Sequence, residues 1–293
     1  MITKEFKLKI IEALKQARGN FYGSDAKFAT SIGISGSQYS RIKNGETERI
    51  LSDASWIALA RLLDVNPAAD AKWQTAKTPV FQFINAQLEV CQREGLSSLL
   101  CDFSDIGKSH AAQHYARQNR NAVYIDCSQV KSKQKLIRRI AQLVGIGGSG
   151  RYADVYENLV YYLKTIPNPM IILDEAGDLQ HDAFLEVKAL WNATEHCCGY
   201  YMMGADGLQH KMSRSIDNKK VGYTELFSRF GKRYGKVIPV GDESKKLLET
   251  TALMIIKANA PQGSDYNKIL RNTMGEDGRP SLRRIFNELA KRK

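Results

Sequence analysis

The feature that most constrains this chain is an apolar stretch, LSSLLCD at 96–102, that runs into the polar loop FSDIGKS and then into a helical pattern, HAAQHYARQ. A buried strand that hands over to a helix through such a loop presents backbone N–H groups and a helix N-terminus, a combination that favours an anion. Gly107-Lys108-Ser109 stands at the junction. In the pattern G-x-x-x-x-G-K-[ST] the Lys reaches the β- and γ-phosphates and the hydroxyl holds Mg²⁺, so ATP with Mg²⁺ is the expected cofactor pair. The loop residues facing it would be Asp105, Ile106, Gly107, Lys108, Ser109 and His110. One departure stands out. Asp102 occupies the place of the first glycine, and Asp105 adds a second carboxylate. Two acids beside a triphosphate weaken binding unless they turn outward or face the metal.

The second half of the constellation lies downstream, where NPMIILDEAGDL is an apolar strand ending in Asp174-Glu175. From there Asp174, with Ser109, can hold the metal, and Glu175 can polarise water for attack on the γ-phosphate. Three further features continue the reading. GYYMMGADG brings Asp206 to the end of a strand, as a sensor of the γ-phosphate or a turn-forming residue. ELFSRFGKR offers Arg229 and Arg233 as an arginine finger reaching a neighbour's nucleotide, or as solvated or DNA-facing charges. In GRPSLRRIFNEL, Arg283 at the start of the last helix can fold back over the nucleotide, with Arg284 the adjacent possibility.

Candidate strands at 96–102, 121–127, 170–175, 199–204 and 236–240 alternate with helical segments, which predicts an α/β fold: a parallel sheet flanked by helices. Residues 1–66 read instead as short helices punctuated by Gly23, Gly33 and Gly45. Residues 67–80 read as a linker, 81–240 as the α/β core and 241–293 as a helical subdomain. No apolar run approaches the ~20 residues that span a bilayer, and the N-terminus is amphipathic and charged, so neither membrane insertion nor secretion is expected. Five cysteines with no C-x-x-C spacing read as reduced thiols of a cytoplasmic protein.

With 43 Lys+Arg against 31 Asp+Glu, a net charge of +12, a polyanion is the natural partner. In DAKFATSIGISGSQYSRIKNG, Phe28, Ala29 and Ile32 share one helical face, Gly33 supplies a turn, and Ser35 to Lys43 form a second helix ending at Asn44-Gly45. Tyr39 and Ile42 face inward, leaving Ser37, Gln38, Arg41 and Lys43 as the residues that reach bases and phosphates of double-stranded DNA. VGIGGSGRY contains G-x-G-x-x-G, but after a helix rather than a strand, so it reads as a flexible loop from which Arg151 can touch DNA. The cluster Lys131, Lys133, Lys135, Arg138 and Arg139 is a solvated helix face or part of a DNA track.

The segment around Gly33 resembles the phage-repressor-like helix-turn-helix family, with Tyr39 where an aliphatic residue is usual. Together the strand order, GKS, LDE, SRFGKR and LRR resemble the AAA+ ATPases, and within them the transposition ATPases of the phage Mu B and IstB type. That resemblance implies a bacterial or phage-encoded, nucleoid-associated ATPase that assembles on target DNA as a helical or ring-shaped homo-oligomer, with little sequence preference, and recruits and stimulates a transposase. An ATP-switched transcription regulator and a helicase-loader-like ATPase are the rival readings.

Overall fold

The computed structural model describes residues 2–21, 23–63, 65 and 73–291. Four helices open the chain: α1 (Lys4–Asn20), α2 (Asp25–Ser31), α3 (Gly36–Lys43) and α4 (Asp53–Leu62). Each starts where the sequence supplies a hydroxyl. Thr3, Ser24, Ser35 and Ser52 accept from the N–H groups of Phe6, Lys27, Gln38 and Ser55, satisfying donors that the first helical turn leaves unpaired. The apolar stripes close over Ile10, Leu14, Phe28, Ala29, Tyr39, Ile42 and Trp56, and this small core fixes α2 and α3 as a helix-turn-helix.

The larger core is a four-stranded sheet. After α5 (Pro79–Glu94) come β1 (Ser97–Cys101), α6 (Lys108–Gln118), β2 (Ala122–Asp126), α7 (Lys133–Leu143), α8 (Tyr152–Thr165), β3 (Met170–Asp174), α9 (His181–Ala193), β4 (Gly199–Gly204), α10 (Asp206–Asp217) and α11 (Tyr223–Arg229). The strand order is β1-β4-β3-β2, all parallel. β3 and β4 are buried at every position because helices cover both faces, which is why MIILD and GYYMMG read as unbroken apolar runs. On one face α5 and α6 bring Ile84, Leu88 and Ala112 onto Ile172 and Tyr201. On the other, α7, α8 and α9 bring Leu136, Leu159 and Phe184 onto Ile171 and Met202.

The expected strand at 236–240 does not form. A single parallel bridge joins Gly235 to Leu100, with the Gly235 N–H donating to the Leu99 carbonyl at 2.8 Å. Beyond it the N–H groups of Val237 and Ile238 turn to the Asp102 carboxylate, at 2.6 and 2.9 Å, so a side chain takes the place of a strand partner. Past this edge, α12 (Asp242–Asn259), α13 (Tyr266–Asn272) and α14 (Leu282–Ala290) pack through Ala252, Ile256, Ile269, Ile285 and Leu289. α13 was not anticipated, its seven residues being too short to show a period.

Of the expected linker at 67–80, residues 67–72 lie outside the described residues. Gln74 beyond them is held at both its N–H and its carbonyl by the Asn259 amide. The glycine-rich loop 145–150 is not a free loop. Arg138 donates to the carbonyls of Gly148 and Gly150, and Gly145, at φ +85°, sits so close to the first module that a Cβ would lie 2.9 Å from the Lys27 carbonyl.

Among the described residues no helix is long and apolar enough to cross a membrane. All five cysteines are free. Burial pushes the Cys91 thiol up to about 11 and that of Cys101 up to about 12, and raises Cys127 and Cys198 further, whereas Cys197 is exposed. A thiol reagent at neutral pH is therefore expected to label one cysteine in the native protein, Cys197, and all five after unfolding, as counted by mass spectrometry.

Candidate nucleotide site

Every strand of a parallel sheet ends at the same edge, and here that edge collects the loop after β1, the end of β3 and the start of α10. The loop closes with Gly107 at φ +95°, a conformation natural to glycine, which swings the chain into α6. No side chain caps α6, so its first N–H groups face outward. Lys108, the first residue of that helix, is buried, and its ammonium donates to the carbonyls of Asp102, at 3.0 Å, and Phe103. Burial lowers its pKa, opposed by the charges of Asp102, Asp174, Glu175 and Asp206. A buried cation bonded to carbonyls alone is a group suited to a phosphate. The Ser109 hydroxyl beside it has no protein partner among the described residues.

Asp174 is buried at the end of β3. One carboxylate oxygen accepts the Glu175 N–H at 2.9 Å and the other accepts the Tyr124 hydroxyl at 2.6 Å, so the group is held rigidly toward the loop. Glu175 takes a left-handed backbone, φ +49°, that aims its side chain into the same cleft as Lys108. Its pKa is raised, by desolvation first and the Asp174 charge second, as befits a proton acceptor. Lys108, Ser109 and Asp174 thus fit a Mg²⁺–nucleotide in donor type and position: an ammonium for phosphate oxygens, a hydroxyl and a carboxylate for a hard cation.

The two irregular acids are both bonded to donors of their own chain. Asp102 is 2% exposed and accepts from Phe103, Val237 and Ile238. Asp105 accepts the Ser281 hydroxyl at 2.7 Å and the Arg283 N–H at 3.5 Å, with the Arg283 guanidinium 4.0 Å away, so it ties the loop to α14. The cleft, about 340 Å³, is bounded on its far side by Trp73, Phe81, Ile255 and Phe286. Trp73 and Phe286 meet with ring centroids 5.2 Å apart, an apolar wall suited to a base. Sequence reasoning missed both because they lie more than 200 residues apart with no local pattern. Ile106 and His110 line the same cleft, with the His110 ring 3.1 Å from the Thr75 hydroxyl.

Asp206, in the first turn of α10, is exposed and acts on Lys108 through its charge. Arg229 is turned onto its own chain, donating to Asn192 at 2.6 Å and lying over the Trp191 ring, whereas Arg233 is exposed with no partner among the described residues. On the helix-turn-helix, Ser37, Arg41 and Lys43 are exposed. Gln38 is committed to the fold: its Oε1 accepts from Ser35 and its Nε2 donates to the Ile50 carbonyl. Arg41 and Lys43 pair with Glu46 and Asp25, exposed pairs worth about 0–1 kcal/mol that a phosphate can exchange. Arg151 is exposed at the N-cap of α8, and in the α7 cluster Lys131 pairs with Asp178, Lys133 lies over Tyr152 and Arg138 holds the glycine loop.

Residues 92–212 match the AAA domain family, and residues 14–69 match the helix-turn-helix family. The chain thus joins a segment similar to AAA domains to a helix-turn-helix segment. No curated protein matches it. The AAA match spans β1 to β4 and so contains Lys108, Ser109, Asp174 and Glu175, while Arg229, Arg233 and α14 fall beyond it. Restoring the usual glycine by Asp102→Gly is expected to lower the stability of the AAA domain by about 3 kcal/mol, because two buried N–H groups lose their acceptor. Urea unfolding checks this; an unchanged midpoint would show that Asp102 is dispensable.

Proposed function

We propose that the chain is an ATP-dependent, weakly sequence-specific DNA-binding ATPase that oligomerises on target DNA and recruits and stimulates a transposase. The observation that carries the ATPase part is that Lys108, Ser109 and Glu175 line one cleft with Arg283, and Asp174, at the end of β3, acts on Lys108 through its charge. Mg²⁺, when bound, would supply charge neutralisation on the phosphate oxygens. Ser109 and Asp174 would hold it, Lys108 balances charge on the phosphate oxygens, and Glu175 orients the attacking water and accepts its proton. Asp206, whose charge acts on Lys108, would sense the γ-phosphate, and Arg283, which lines the cleft, would fold over the nucleotide. The exposed Arg233 suits the finger role, because a guanidinium free of its own chain can enter a neighbour's site, which supports a homo-oligomer. Domain limits of 1–66, 67–80, 81–240 and 241–293 belong to the same proposal.

A second reading has its own support. α1, which packs with the helix-turn-helix, is seated on α6, the helix that begins at the phosphate loop, an arrangement suited to a regulator in which ATP only switches oligomeric state.

Binding to random-sequence duplex DNA with ATP, with ADP and without nucleotide, followed by electron microscopy, separates the two. Large assemblies on any duplex with ATP alone are expected; tight, nucleotide-indifferent binding to few sequences selects the regulator. Lys108→Ala is expected to abolish assembly, and Glu175→Gln to trap ATP and prolong DNA residence. Arg233→Ala and Lys108→Ala proteins, each reduced at least about 100-fold in hydrolysis, should regain turnover when mixed, since a mixed junction pairs an intact site with an intact finger. No recovery would place the finger elsewhere.

A further inference from the structure

The nucleotide cleft and the helix-turn-helix share two elements of the AAA domain. α6 carries Lys108 and Ser109 at its start, and its far end receives α1: the Asn20 amide donates to the Arg117 carbonyl, and just beyond the helix Arg120 donates to the Gly19 carbonyl at 3.4 Å. β2 is the outer strand of the sheet, and the first module lies along its open side. A cavity of about 470 Å³ separates the two, walled by α1, Phe21, Phe28 and the end of α4 on one side and by α6 and β2 on the other. Among the described residues the contacts lie at the rim, where Phe21 packs against Gly145 and the Lys27 ammonium lies 4.7 Å from the Tyr162 ring centre. A module held only at a rim is docked with modest free energy and has an accessible undocked state.

Tyr124, in the middle of β2, belongs to both regions. It is among the β2 residues that line the cavity, and its hydroxyl donates to Asp174 Oδ2 at 2.6 Å. We propose that Mg²⁺–nucleotide binding and the seating of the helix-turn-helix on the AAA domain oppose each other, with Tyr124 as the positioning residue that links them. Asp174 Oδ1 is already engaged by the Glu175 N–H, so a cation drawn to this carboxylate competes with the Tyr124 hydroxyl for Oδ2. A Tyr124 hydroxyl that loses this acceptor is left with the Gln113 side chain of α6, which also lines the cavity, and a shift of α6 and β2 disturbs the surface on which α1 and Phe21 sit. Linkage is reciprocal, so undocking tightens nucleotide binding by the factor that nucleotide weakens docking. The inference rests on the nucleotide-site reading above and adds the partner of that site within the same chain.

The test is hydrogen–deuterium exchange on the full chain, with and without Mg²⁺ and a non-hydrolysable ATP analogue. Protection of residues 103–109 reports nucleotide binding, and exchange at 13–21 and 122–126 reports docking. The expected result is protection of the loop together with exchange about fivefold faster at both docking segments. In Tyr124→Phe, which keeps the ring and removes the hydroxyl, loop protection should persist while the docking segments no longer respond. A protected loop with unchanged docking segments in the natural protein overturns the coupling and leaves the nucleotide site standing, as does an unaltered response in Tyr124→Phe for the role of that hydroxyl. An unprotected loop overturns the nucleotide reading and this inference with it.

Discussion

A parallel sheet delivers the ends of all its strands to one edge, and every proposed functional group of the AAA domain depends on that delivery. β1 ends where the loop to α6 begins, β3 ends on Asp174 with Glu175 next in the chain, and β4 ends two residues before Asp206. Because β1 and β3 are both neighbours of β4, residues 66 positions apart, Lys108 and Asp174, act on each other electrostatically. The helices make this possible by covering both faces, so the strands are apolar throughout and polar chemistry is confined to their tips.

The two acids that depart from the usual phosphate-loop pattern act as clasps. Asp102 replaces the hydrogen bonds that a fifth strand would have made, and in doing so holds the segment after Gly235 against the sheet. Asp105 joins the loop to Ser281 and Arg283 of the terminal subdomain. The carboxylates are neutralised by donors of their own chain, and the loop keeps a positive character toward the cleft through Lys108 and the uncapped start of α6. The cost of two negative charges near a triphosphate is thereby offset by connectivity between the loop and the elements that must respond to it.

The same economy of elements joins the two modules. α6 and β2 each serve the cleft at one place and the first module at another, so the proposed coupling would run through secondary structure and the Tyr124–Asp174 hydrogen bond. The glycine-rich loop after α7 belongs to this interface rather than to any nucleotide, and its small residues matter because the first module approaches its backbone closely.

Local pattern was enough to read four of the strands and the helix-turn-helix, and to propose the Lys108, Ser109, Asp174 and Glu175 set, because each is written in contiguous residues whose period or order carries the chemistry. It misread residues 236–240, where an apolar run suggests a strand but a distant carboxylate takes the N–H groups. It left open whether Arg229 or Arg233 is free, and assigned Gln38 to DNA although its amide is committed to the cap and to Ile50. The sequence by itself determined which residues have the chemistry for phosphate, metal and DNA. Only the tertiary structure decided which are available, because the partners that occupy or orient them, Ser281 for Asp105, Tyr124 for Asp174 and Asn192 for Arg229, come from segments that no local period connects.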